Sequence, residues 1–170
     1  MAKQNRDTAI EELVQMLGNR DGMKRQKARW ALETIGKPAV PELTRLLKHC
    51  GDEQIRWEAA KALSAIQDER SIPSLIAVLD DEDQDMSWLA AEALIKFRKK
   101  AWPPLLRTLI SKGAKSPLLR QSAHHILRSQ KDGDNSGLLA NLLKSLELNT
   151  VQEMTIGAAR EILAQMKVKR

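Results

Sequence analysis

The sequence predicts an all-α chain, an α-solenoid built from about five helical hairpins, and three observations carry that prediction. The first is a repeat: Leu32, Leu63 and Leu94 are spaced by 31 and 31, Pro41, Pro73 and Pro104 by 32 and 31, and Ala28, Ala59 and Ala90 keep the same register. A period in this range marks stacked supersecondary units, none of which can bury its apolar face alone. The second is composition. The chain is 42% apolar but has only four Trp, one Phe and no Tyr, so its interior is built from Ala, Leu, Ile, Val and Met, which suits close-packed helices better than sheets. The third is that apolar residues recur with helical spacing, as in the stripe Ala59, Ala62, Leu63 and Ile66.

Two kinds of segment alternate along the chain. Those of the first kind read IEELVQML, VPELTRLL, IPSLIAVL, PPLLRTLI and LLANLLKSL. Those of the second read KRQKARWALETI, IRWEAAKALSAI, MSWLAAEALIKF, LRQSAHHILRSQ and IGAAREILAQM. Ten helices are expected, in one domain over residues 1–170, with repeats at about 6–36, 37–67, 68–98, 99–130 and 134–167. The boundaries have local causes. Ser116 before Pro117 offers an N-cap oxygen followed by a proline at the first helical position, and Ser71 before Ile72-Pro73 suggests the same role. Gly36, Gly51 and Gly113 fall at helix ends, where positive φ is needed. The acidic run Asp80 to Asp85 precedes a helix and complements its dipole; contiguous carboxylates without a spaced loop do not make a metal site. Helices 6–18 and 151–167 are expected to cap the array, leaving residues 1–5 and 168–170 mobile.

These residues resemble the HEAT repeat family, in the short bacterial form of the phycobilin-lyase-type repeats. The resemblance rests on Ile55-Arg56, Ala59-Ala60, Ala62-Leu63 and Ile66, then Ile72-Pro73, Leu75 and Leu79. MSWLAAEALIKF follows the pattern except that Ser87 replaces the arginine, and the last two repeats match loosely. The resemblance implies a right-handed superhelix in which the first helix of each pair is convex and the second lines a concave groove. It is specific for architecture and unspecific for function, because such repeats mostly serve as scaffolds.

Carried onto this chain, that geometry sends Gln26, Trp57, Trp88 and Gln121 into the groove as one row. Lys27, Glu58, Leu89 and Ser122 lie beside them, and Trp30, Lys61, Glu92 and His125 follow one turn along. Core packing is the commoner role of a tryptophan at helical spacing, but here the Ala/Leu/Ile stripe already occupies the core positions. The candidate binding patch is therefore Trp30, Trp57, Trp88 and Leu89, with Lys61, Glu92, Lys96 and His125 around it. Trp102, ahead of Pro103-Pro104, is expected to be structural. Arg25, Arg56 and Arg120 share one register position, and the resemblance implies that they pair with acidic residues in the turns, Asp21, Asp52 and Asp83.

Catalytic chemistry finds little support. The HEAT-type iron enzyme deoxyhypusine hydroxylase carries His-Glu pairs on its inner helices, whereas the matching positions here are Gln26-Lys27, Trp57-Glu58, Trp88-Leu89 and Gln121-Ser122. Adjacent His124 and His125 diverge by about 100° on a helix and cannot face one metal. His49-Cys50 has no further ligands nearby in sequence, and no phosphate loop or nucleophile elbow occurs. No metal or other cofactor is expected. One enzymatic alternative is a similarity to HEAT-like alkylpurine DNA glycosylases, with Trp88 and Glu92 at i and i+4 holding a cationic base. Tetrapyrrole handling, as in phycobilin lyases, is a third reading that no residue selects.

Charge argues in the same direction. Net charge is +6, but it is +4 over residues 1–50, −4 over 51–100 and +6 over 101–170. This is no uniform basic stripe, so nucleic acid is not the favoured partner, and the acidic edge at Asp80–Asp85 would repel phosphates. No apolar run reaches membrane-spanning length, and the start MAKQNRDTAIEEL lacks the apolar core of a signal peptide. The single cysteine, Cys50, excludes an internal disulfide framework and fits a reducing cytoplasm. The expected function is a non-catalytic scaffold that binds a protein or peptide in its groove.

Overall fold

The computed structural model describes residues 2–112, 116–130, 137–147 and 152–168, and these form ten α-helices with no strand. They are α1 (Ala2–Met16), α2 (Gly22–Ile35), α3 (Val40–His49), α4 (Glu53–Ile66), α5 (Ile72–Val78), α6 (Gln84–Lys96), α7 (Trp102–Lys112), α8 (Pro117–Arg128), α9 (Leu138–Glu147) and α10 (Gln152–Val168). Residues 2–5 and 168, expected to be mobile, belong to α1 and α10; residues 1, 169 and 170 lie outside the described residues. The chain forms two compact units, Met1–Leu75 and Ile76–Arg170.

The second helix of each of the first four hairpins starts on a side-chain cap. Asp21 accepts from the Met23 amide, Asp52 from Ile55, Asp83 from Asp85 and Met86, and Ser116 from Leu119. Each cap satisfies a donor that the first turn leaves open, worth about 1 kcal/mol. Asp21 caps its own helix and does not meet Arg25, which corrects the pairing expected there: Arg25 donates to the carbonyls of Asn19 and Arg20. Arg56 donates to the carbonyl of Leu47. The Leu47 carbonyl lies in the last turn of α3, so the Arg56 cation also meets the negative end of that helix. Ser87, which replaces the arginine in the third repeat, serves the same position: its hydroxyl donates to the Leu79 carbonyl at 3.1 Å.

The ends of these helices share a second periodic feature. Gly36, Gln67 and Arg98, 31 residues apart, all have positive φ, of 71°, 53° and 52°. A 3-10 turn follows Gly36 and Gln67, at Lys37–Ala39 and Glu69–Ser71, and a third begins at Arg98 itself, Arg98–Lys100. Only the first of the three is a glycine, so the turn is imposed by packing at the other two. Two sequence expectations fail nearby. Ser71 does not cap α5, because it is the buried last residue of a 3-10 turn and its hydroxyl donates to the Asp68 carbonyl. Gly51 lacks positive φ, since α3 ends at Cys50 in an extended conformation. Gly113 lies outside the described residues.

In the first unit α1 packs on α2, α2 on α4 and α3 on α4. The seam is lined by Ala28, Leu32, Ala59, Ala62 and Leu63, and every one of them is buried. Small residues allow close approach of helices, and the leucines between them fill the remaining volume. Beside the seam, Glu58 is buried and receives the Arg29 guanidinium at 2.9 Å and the Gln54 amide at 3.2 Å. A groove position was expected for Glu58; the side chain instead ties α4 to α2.

In the second unit α6 packs on α8, one second helix on another, but the last hairpin departs from that pattern. It is α9 that packs on α8, while α10 packs on α9 and on α7. The repeat pattern predicts IGAAREILAQM in the second-helix row; the segment lies in α10, which packs on the first helices α9 and α7 instead. The causes are local. Leu139, Leu142, Leu143 and Leu146 give α9 a strongly apolar face, and Arg120 of α8 donates to the carbonyls of Ser145 and Leu146 at its end. Arg120 therefore plays the part of Arg56, but toward the following helix rather than the preceding one. Four helices close on one another, α7 to α8 to α9 to α10 and back to α7, and cover apolar faces that a regular stack would leave for its next repeat.

Candidate functional site

The site residues are held on helices whose opposite faces are anchored in the core. On α6, Met86, Ala90, Ala93 and Leu94 are buried, and on α8, Leu119, Ala123, Ile126 and Leu127 are buried. Helical periodicity then turns Trp88 and Glu92 of α6, and Gln121 and His125 of α8, away from the core. The two helices run side by side in the same direction. Ser87 meets Ser122 near their start, Oγ to Oγ at 3.0 Å, and Glu92 meets His125 further along, at 2.8 Å.

Between them lies a cleft of about 580 Å³. Trp88, 57% exposed, lines it. The His125 ring stacks on the indole with centroids 4.3 Å apart and planes inclined by 29°. His125 Nε2 in turn holds Glu92 Oε1. The imidazole therefore has one face against a ring and one nitrogen on a carboxylate, which fixes the indole without burying it. His124 turns the other way, to Glu147 of α9 at 3.0 Å. The two histidines thus face different helices, as their 100° divergence requires.

The remaining candidates behave individually. Trp57, in the repeat position that matches Trp88, is half-buried, with the Lys61 ammonium 5.2 Å from its ring centre. Trp30 is 49% exposed, Leu89 is half-buried and Lys96 is exposed. The structure brings Trp88, Glu92 and His125 together, and Trp57 with Lys61; Trp30 and Trp57 belong to the first unit and Trp88 to the second. Trp102, expected to be structural, is 3% exposed, and its indole N–H donates to Gln130 Oε1 at 2.9 Å.

Several cleft residues were absent from the sequence-predicted patch: Gln84, Asp85 and Ser87 on α6, and Gln121, Ser122 and Arg128 on α8. A signal for two of them existed. Asp85 stands three residues before Trp88, and Arg128 three after His125, so each shares a helix face with a predicted residue. Earlier in the acidic run, Asp80 accepts from Ser116 Oγ and from Lys112 Nζ. The Ser116 hydrogen bond, with Lys112 adding to it, holds the Asp80 carboxyl below the usual range. Part of the acidic run is thus neutralised within the second unit and joins α7 to the start of α8. Among the described residues, no group of three His, Cys, Asp or Glu side chains could hold a metal ion.

Comparison with known proteins agrees with the repeat architecture. No curated protein and no solved structure gives a significant match. A family profile described as HEAT repeats matches residues 10–95, from α1 to the end of α6 and so the three hairpins in which the 31-residue register is strictest. That match spans half of the 170 residues, and the chain belongs to the HEAT repeat family.

Proposed function

We propose that this protein is a non-catalytic binding module whose α6–α8 cleft receives a protein or peptide partner. HEAT repeats generally serve protein interaction, and the observation that carries the specific reading is Trp88. A large indole held at 57% exposure by a stacked histidine is preorganised for contact, since little side-chain entropy is left to lose on binding. Burying the rest of that ring contributes about 2 kcal/mol, enough to make it an affinity centre. Glu92 and His125 supply polar orientation at its edge.

The glycosylase-like alternative gains nothing from this arrangement. A cationic base would need an open indole face together with a free carboxylate, and His125 already covers one face of Trp88 and bonds Glu92. No observation favours tetrapyrrole handling. No described helix is long and apolar enough to cross a membrane.

The test is affinity capture with wild-type protein, Trp88→Ala and a Met154→Ala control, which removes an equally exposed apolar side chain elsewhere. A partner bound by wild type and the control but lost with Trp88→Ala supports the reading. Capture that does not depend on Trp88 overturns the cleft assignment, and release of methylated bases from duplex DNA, abolished by Glu92→Gln, overturns the non-catalytic reading.

A further inference from the structure

The α6–α8 cleft is charge-polarised along its length. Asp85 lies on the starting turn of α6, beside the start of α8, and Arg128 is the last residue of α8, beyond the contact between His125 and Glu92. Both line the cleft, both are exposed, and among the described residues neither side chain has an ion-pair partner. Trp88 stands between them. The neighbouring polar side chains are already engaged, Glu92 with His125 and His124 with Glu147.

Seven residues of α6 separate Asp85 from Glu92, which is on the order of 10 Å along the axis. Arg128 lies a further turn on, so the two open charges are on the order of 10–15 Å apart. An extended peptide spans that distance in four steps of about 3.3 Å, and its residues i, i+2 and i+4 face the same way.

We infer that the cleft takes a short extended peptide segment carrying a basic side chain, an apolar or aromatic one and an acidic one at alternate positions. The basic group meets Asp85, the middle side chain packs on Trp88, and the acidic group meets Arg128, where the planar guanidinium can take a carboxylate with two hydrogen bonds. Backbone amides between these anchors reach Gln84, Gln121 and the Ser87–Ser122 hydroxyls at the floor. Either chain direction satisfies the pattern, because the recognised feature is the order of charges along the cleft. This rests on the binding reading above and names the chemistry of its partner.

A random peptide library panned against the full chain, with Trp88→Ala for counter-selection, tests the assignment. Selected peptides are expected to carry the basic–x–apolar–x–acidic pattern. Each single charge reversal, Asp85→Lys or Arg128→Glu, should weaken a selected peptide about fivefold, as for an exposed pair worth about 1 kcal/mol. Panning on Asp85→Lys should shift the pattern to acidic groups at both ends. Circular dichroism of both variants establishes that they fold. Selected peptides without the charge order, or an unchanged pattern on Asp85→Lys, overturn this inference and leave the binding reading standing. Failure of any peptide to enrich through Trp88, while a folded partner is still captured through it, also overturns this inference alone. Loss of both results overturns the binding reading as well.

Discussion

Trp88 and His125 lie ring against ring, 4.3 Å between centroids, although they stand on different helices and 37 residues apart in the chain. The stack joins α6 to α8 at the exposed edge, and the Ser87–Ser122 contact joins them below it. Replacing His125 by Ala removes both the ring contact and the Glu92 bond. We expect a loss of about 1 kcal/mol in unfolding free energy and stronger quenching of Trp88 emission by acrylamide. His125→Phe should restore most of the stability but leave Glu92 unpaired. Chemical denaturation of the three proteins checks this, and equal stability throughout would show that the stack is incidental.

The four tryptophans should differ in accessibility in the order of their burial. Acrylamide should quench Trp30 and Trp88 strongly, Trp57 less beneath Lys61, and Trp102 hardly at all. Single-tryptophan variants, with Phe at the other three positions, give each quenching constant separately. A Trp88 as protected as Trp102 would remove the basis for the binding cleft.

Ala62 is fully buried against neighbouring helices of the first unit. Ala62→Leu adds three carbons to a seam without free volume and should cost about 1–3 kcal/mol. The neighbouring Lys61→Ala removes only a partly exposed ammonium over Trp57 and should cost under about 1 kcal/mol. Thermal melts that fell equally for both would contradict the helix register.

Gln67 occupies the left-handed α conformation, with φ 53° and ψ 39°, one repeat after Gly36, which shares only the positive φ. Gln67→Gly relieves the crowding of a Cβ there, at some entropic cost in the unfolded chain, and should stabilise by about 0.5 kcal/mol. Gly36→Ala should destabilise by at least as much. A fall in midpoint for Gln67→Gly would mean that the side chain compensates for its backbone.

The Arg70 side chain, through its hydrogen bonds, pulls the carboxyl of Asp68 down from 3.8 to about 2. Because the folded value lies below the unfolded one, the contribution is fully present above pH 4 and is lost as pH falls toward 2. Arg70 is more than half exposed, so solvent screening weakens that contribution. Asp68→Asn should therefore be less stable than wild type at pH 7 and match it near pH 2. A gap that persisted at pH 2 would assign the effect to the neutral cap on the Arg70 amide instead.

The helices, their pairing into hairpins and the faces that carry Trp30, Trp57 and Trp88 were legible in the linear chain. All of these follow from a 3.6-residue period and a 31-residue repeat, which act through the local chain. Asp52 and Ser116 were equally legible in principle, because a cap lies next to the helix it starts. The rest depends on which helix lies opposite. Trp57 and Trp88 share a repeat position, yet one lies under a lysine of its own helix and the other against a histidine of the next. Arg56 and Arg120 share another, yet they bond carbonyls on opposite sides in sequence, because α9 rather than α10 packs on α8. Asp85 and Arg128 become one site only when α6 and α8 are laid side by side in the same direction. Local patterns repeat through the chain; the neighbours they meet do not, and the neighbours set the chemistry.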